Sequence, residues 1–142
     1  MPLTSPDEIA SLLESSRTIA MVGASDNPGR ASYGVMRFLQ QRGWRVIPVN
    51  PRLAGQELLG ETVVARLADV GEPIDLVDVF RRSEEVGPVV DEAIAAGAGA
   101  IWMQLGVVND AAAARAEAAG LKVVMDHCPK IEVARLGIAG PA

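Results

Sequence analysis

The chain has 142 residues, 49% of them hydrophobic and 22% charged. That is apolar material for one domain-sized core and too little charge for a disordered polymer. Thirteen Lys and Arg against 18 Asp and Glu leave a formal net charge of −5. This balance argues against nucleic acid and anionic membranes as partners, since both call for a basic face. A single cysteine, Cys128, excludes a disulfide framework and a cysteine-rich zinc site. With no basic-then-apolar leader and no apolar run near the ~18 residues of a membrane span, the expected location is cytoplasmic.

Strand-like and helix-like segments alternate along the chain, the pattern of parallel strands with helical crossovers. Ser5, Pro6 and Glu8 form a helix start, a cap, a first-turn proline and a capping-box acid. The helix spans about 5–16. Residues 18–23 are an apolar run ending in Gly23, read as a buried parallel strand. A helix is expected from about Ser32 to Arg42, stopped by Gly43. Arg45–Val49 is the second strand, closed by Asn50, Pro51 and Arg52. Residues 53–72 are less regular, with a short strand near 62–64 and a helical turn near 65–70.

Asp75–Phe80 reads as a strand, followed by a helix starting near Pro88 and ending before Gly97. Ala100–Met103 is the next strand. Asn109 and Asp110 cap an alanine-rich helix that ends at Gly120. Leu121–Met125 is the last strand, and a short helix from about Pro129 to Arg135 closes a core spanning about 17–136. The expectation is one α/β domain, residues 1–142, with a doubly wound parallel sheet of about five strands. In such sheets ligands bind beyond the carboxyl ends of the strands, where strand order reverses. The functional candidates are therefore the segments that follow each strand.

Gly23, Ala24 and Ser25 end the first strand with small residues that let backbone N–H groups approach an anion, aided by the next helix N-terminus. Ser25 and Ser32 add hydroxyls and Arg30 a cation. The glycines, at 23, 29 and 34, do not match Gly-x-Gly-x-x-Gly. Glycine spacing alone fits an ordinary strand-to-helix turn better than a phosphate cradle, and Asp26 must face solvent for a cradle to work.

Proteins that bind NAD place an acid at the end of the second strand. Here the stretch is Pro48–Arg52, with no acid. Arg52 suits an extra ribose phosphate, as on NADP or coenzyme A; a rigid turn with an exposed arginine fits equally. Phe80, Arg81 and Arg82 offer an apolar shelf and two cations, with Arg81 placed to reach a phosphate or to pair with Asp78. A core phenylalanine with solvated arginines is the competing reading. Gln104 can hydrogen-bond an amide, and Trp102 reads as core. His127, the one histidine, is a base or, more ordinarily, a local hydrogen-bond partner. Cys128 is a thiol near a helix start or an inert buried side chain.

Six segments in order resemble one family: residues 22–25, Tyr33 with Gly34, residues 49–52, residues 78–81, residues 102–106 and residues 126–129. The chain resembles the stand-alone CoA-binding domain proteins of bacteria, themselves similar to the nucleotide-binding domain of the succinyl-CoA synthetase alpha subunit. The resemblance covers roughly residues 5–136. It implies a Rossmann-like fold with coenzyme A, or an acyl-CoA, along the strand ends. Gly23, Ala24 and Ser25 would hold the pyrophosphate with Arg30, Ser32, Tyr33 and Gly34. Asn50, Pro51 and Arg52 would face the adenosine and its 3′-phosphate. Val79, Phe80 and Arg81 would flank the nucleotide and the start of the pantetheine arm, with Gln104 deeper.

The synthetase subunit has a second domain with a phosphorylated histidine. The 142 residues hold no counterpart, and His127 lies in the wrong place to replace it. The implied role is therefore a non-catalytic binding, carrier or regulatory module. The alternatives are an NADP-dependent oxidoreductase and an acyl-CoA enzyme using Cys128 or His127. The expected partner is a small nucleotide cofactor, with no metal, nucleic acid or membrane; no feature specifies a protein partner or a homo-oligomer.

Overall fold

The computed structural model describes residues Met1–Ala142. Seven strands and five α-helices follow the chain as α1 (Pro6–Ser15), β1 (Thr18–Val22), α2 (Ala31–Gln41), β2 (Arg45–Val49), β3 (Glu57–Leu58), β4 (Glu61–Thr62), β5 (Leu76–Val79), α3 (Val86–Ala95), β6 (Ala100–Met103), α4 (Asp110–Ala118), β7 (Lys122–Val124) and α5 (Pro129–Leu136). Five strands form one parallel sheet in the order β2-β1-β5-β6-β7. The chain leaves β1 toward β2 on one side and returns to β5 on the other. The order therefore reverses between β1 and β5, and a crevice opens there.

Burial on both faces explains the nearly unbroken apolar strands. All four residues of β5 and of β6 are buried. Leu76, Met21 and Trp102 pack with Ile9, Leu13, Met36 and Val133 on the α1, α2 and α5 side. Val77, Val79, Ile101 and Met103 pack with Val86, Val90 and Ala113 on the α3 and α4 side. The two layers hold 20 buried residues each, so neither face is the solvent face. This is the doubly wound arrangement that alternating segments predict.

Local signals fix the helix ends. Ser5 Oγ accepts from the Glu8 N–H at 3.2 Å and Asn109 Oδ1 from the Ala112 N–H at 3.0 Å, each supplying one of the orphan helix donors with a partner. Three expectations are corrected. The third helix does not start at Pro88: a 3-10 turn over Ser83–Glu85 runs directly into α3, which begins at Val86. Pro88 is its third residue, where a missing N–H removes no helical bond. The short strand near 62–64 is a two-residue hairpin, β3 with β4, and Val64 makes only an isolated bridge to Val49. Arg81 does not pair with Asp78, which is fully buried in the α1, α2, α5 layer with neither carboxyl oxygen hydrogen-bonded.

Candidate functional site

A cleft of about 960 Å³ opens over the carboxyl ends of β1, β2, β5 and β6. Eleven of the expected site residues line it: Gly23, Ala24, Ser25, Arg30, Ser32, Asn50, Pro51, Arg52, Phe80, Arg81 and Gln104. Tyr33, Gly34 and Val79 do not. Tyr33, in the first turn of α2, packs against the α1, α2, α5 layer, and Val79 is fully buried in the α3 and α4 layer. A second cavity of about 430 Å³ lies toward the amino ends of the strands, lined by Arg66, Gly71, Glu72, Ile74, Glu92 and others, with no histidine, cysteine or hydroxyl on its walls.

The floor of the cleft depends on Gly23. The ladder continues past β1, with the Gly23 N–H on the Val49 carbonyl at 3.0 Å and the Phe80 N–H on the Val22 carbonyl at 2.8 Å. Gly23 has φ +87, and a Cβ there would overlap the Phe80 carbonyl oxygen. Only glycine lets the β1 and β5 ends come this close. Beyond it Ser25 Oγ accepts from the Asn27 N–H at 3.1 Å, and Asn27 Oδ1 from the Gly29 N–H at 2.9 Å. These turns carry Asp26 out to solvent, off the cleft wall.

The chain then enters α2 at Arg30, whose side chain makes no cap bond. Ala31 and Ser32, the first two helical residues, face the cleft. Their N–H groups belong to the free donors of a helix start, and the helix dipole adds partial positive charge at the same place.

Asn50 lines the cleft and also has a structural task. Its Nδ2 donates to the Ala24 carbonyl at 2.8 Å and its Oδ1 accepts from the Arg52 N–H at 2.9 Å. The side chain ties the end of β2 to the loop after β1 and orients the Pro51–Arg52 turn. On the opposite wall, Asp126 Oδ1 accepts from the Gly106 N–H at 2.7 Å, and Ser83 Oγ accepts from the Val108 N–H at 3.0 Å. Asp126 holds φ +59, uncommon for a residue with a side chain. These bonds brace the loop that carries Gln104, Leu105 and Val107.

Four arginines line a cleft in a chain of net charge −5. Arg30, Arg52 and Arg81 have no carboxylate within 4.0 Å. Arg82 lies 3.9 Å from both Glu84 and Glu85, on the exposed rim. Leu105 and Val107 add apolar surface. The arrangement suits an anion near α2 and a flat or apolar group near Phe80.

Arg82 and Leu105, in the strand-end segments singled out from sequence, also line the cleft, as do Ala31, Glu85 and Val107, which were not among the expected contacts. Arg82 and Leu105 directly follow Arg81 and Gln104, and strand-end position was the signal that picked them out. Glu85 and Val107 arrive through the 3-10 turn and the braced loop, which carry no such signal. His127 and Cys128 are off the cleft wall. The His127 ring donates from Nδ1 to the Met125 carbonyl at 2.7 Å, and its own carbonyl accepts from Trp102 Nε1 at 2.7 Å. Cys128 is buried in the α1, α2, α5 layer.

Residues 17–134 match the family described as CoA binding domain. The chain is 41% identical over 124 residues to the uncharacterized protein YneT of Bacillus subtilis (strain 168), a match covering 87% of this chain and 90% of YneT. It is 28% identical over 76 residues to an ADP-forming acetate–CoA ligase of Methanocaldococcus jannaschii, covering 54% of this chain but 10% of the ligase. A hypothetical protein from Pyrococcus horikoshii OT3 shares the fold with a TM-score of 0.90 at 33% identity, over 96% of both chains. No helix is long and apolar enough to cross a membrane. The match spans the sheet from β1 to α5, cleft included, and the chain belongs to the CoA binding domain family.

Proposed function

We propose that the chain binds coenzyme A or an acyl-CoA in the cleft over the carboxyl ends of β1, β2, β5 and β6. Its role is that of a non-catalytic binding, carrier or regulatory module. The observation that carries this reading is the set of unpaired arginines around an uncapped helix start: Arg30, Arg52 and Arg81 beside Ala31 and Ser32. A pyrophosphate sits against Gly23, Ala24 and the first turn of α2, with Arg30 beside it. Arg52 meets the 3′-phosphate, and Pro51 offers a flat apolar edge to the adenine. Phe80 and Arg81 flank the nucleotide, and the pantetheine arm runs toward Gln104. Family membership favours coenzyme A over NADP, for which Arg52 is equally suited. His127 and Cys128, away from the cleft wall, give an acyl-CoA reaction no nucleophile or base there.

The test is a thermal-shift panel with coenzyme A, dephospho-coenzyme A, acetyl-CoA, NAD, NADP and ATP. A ligand at about 100 times its Kd adds roughly 2.7 kcal/mol, several degrees for a domain of this size. Coenzyme A stabilises the protein and dephospho-coenzyme A does so less. A larger shift with NADP than with coenzyme A would replace the ligand, and no shift with any nucleotide would remove the reading.

A further inference from the structure

Three buried side-chain atoms in the molecule lack any hydrogen-bond partner: both carboxyl oxygens of Asp78 and Oε1 of Gln104. They belong to neighbouring positions. Asp78 is in register with Trp102. Gln104 lies two residues further on, held in the ladder by its N–H on the Val79 carbonyl at 3.4 Å. Side chains alternate along a strand, so Asp78, Trp102 and Gln104 share a face, with Asp78 and Gln104 diagonal to each other. Parallel neighbours lie about 4.8 Å apart and two residues rise about 6.6 Å, which puts the two Cα atoms roughly 8 Å apart, a gap that an Asp and a Gln side chain together can span.

Asp78 is fully buried, with no cation beside it. Burial alone pushes its carboxyl well above the usual carboxylate range. A neutral carboxylic acid has one O–H donor, which requires an acceptor when buried. Apart from the Asp78 oxygens themselves, the one orphan buried side-chain acceptor is Gln104 Oε1. The Nε2 end of the same amide is not among the buried atoms that lack a partner, and Gln104 lines the cleft.

We propose that Asp78 donates a carboxyl O–H to Gln104 Oε1 and so fixes the amide with Nε2 facing the cleft. Gln104 then reads the ligand as a donor, and its partner is a carbonyl oxygen. Asp78 is a positioning residue and Gln104 the specificity contact. The ligand class is a carbonyl-bearing arm, an amide or a thioester. This deepens the proposed site and rests on that reading for the ligand, though not for the Asp78–Gln104 pair.

The pair is tested without ligand by infrared difference spectroscopy of the wild type against Asp78→Asn. The wild type carries the carbonyl stretch of a neutral carboxylic acid, which Asp78→Asn removes. No such band means Asp78 is ionised and the pair is overturned, whatever the protein binds. The ligand side is tested by titration with coenzyme A, acetyl-CoA and 3′,5′-ADP, which lacks the arm. Gln104→Leu weakens acetyl-CoA about tenfold, with or without an equal loss for coenzyme A, and leaves 3′,5′-ADP unchanged. A loss confined to acetyl-CoA assigns the thioester carbonyl, and an equal loss assigns a pantetheine amide.

Asp78→Leu reproduces the loss seen in Gln104→Leu, while Asp78→Asn, which keeps an inward donor, restores wild-type affinity. Equal damage from Asn and Leu, or unchanged binding in Gln104→Leu, contradicts the proposal. If the wild type binds none of the three, the ligand assignment falls with the proposed function, and the infrared band alone decides the pair.

Discussion

At the amino end of the sheet, Arg45 donates to both carboxylate oxygens of Glu72, at 2.8 and 3.0 Å, and reaches Glu61 at 3.1 Å. Nearby, Asp75 Oδ2 accepts from the N–H groups of Arg17 and Thr18 at 2.9 and 3.0 Å, closing the start of β1. At the carboxyl end, Arg30, Arg52 and Arg81 stand around a cleft with no carboxylate partner. The same residue type is used oppositely at the two ends. One end neutralises itself and needs nothing further. The other keeps three of its four cleft arginines free in a chain that is acidic as a whole, which is how a local anion site is built against the average charge. Net charge excludes classes of partner; the distribution of pairing points to the site.

The contrast is broken most severely at Gly23. Gly23→Ala forces a Cβ onto the Phe80 carbonyl at φ +87. The expected cost is about 2–4 kcal/mol in chemical denaturation, with loss of nucleotide binding. Wild-type stability in this variant would mean that the β1 and β5 ends are not held together as described. Arg52→Ala sharpens the comparison differently. Arg52 is exposed and unpaired, so stability stays within about 0.5 kcal/mol. Coenzyme A affinity falls about tenfold to a hundredfold in calorimetric titration, and the preference over dephospho-coenzyme A disappears.

Asp78 gives a pH signature between the two ends. Its folded-state value lies above the unfolded one near 3.9, so the native state binds more protons in that window. The contribution of Asp78 is fully present below the unfolded value and is lost as pH rises through the folded one. Asp78→Asn removes that decline, read as a flatter denaturation midpoint against pH. A matching slope in both proteins would mean that Asp78 does not titrate differently on folding.

Arg45→Ala is the smallest effect. The pair is half exposed, so the loss is under about 1 kcal/mol and shrinks with salt, with coenzyme A binding unchanged. Hydrogen bonding to Arg45 holds the Glu72 carboxyl below its usual range. Its contribution is present above the unfolded value and fades as pH falls through the folded one. A binding defect in this variant would remove the distinction between the ends.

Much of this was legible in the chain. Runs such as Ala100–Met103 are apolar at every position because both faces are covered, and Asn109 and Ser5 announce their helices by caps. The strand ends that gather at the cleft follow from that order alone. What stayed hidden depends on partners distant in sequence. Pro88 reads as a helix start because first-turn prolines are common, and the 3-10 turn ahead of it has no pattern of its own. Asn50 reads as a ligand contact, yet its amide is engaged by Ala24, 26 residues away. Asp78 reads as a partner for Arg81, since a strand face is not readable when both faces are apolar. A single acid inside the run Leu76–Phe80 was the signal that something in this layer is polar by design.

The most direct test of the central claim is a calorimetric titration of coenzyme A into the wild-type protein at low and at high salt. The free arginines predict saturable binding, one site per chain, weakened as salt rises because the phosphate contacts are screened. No binding at low salt, or binding indifferent to salt and to the 3′-phosphate, would contradict the assignment of the carboxyl-end cations to a phosphate-bearing ligand.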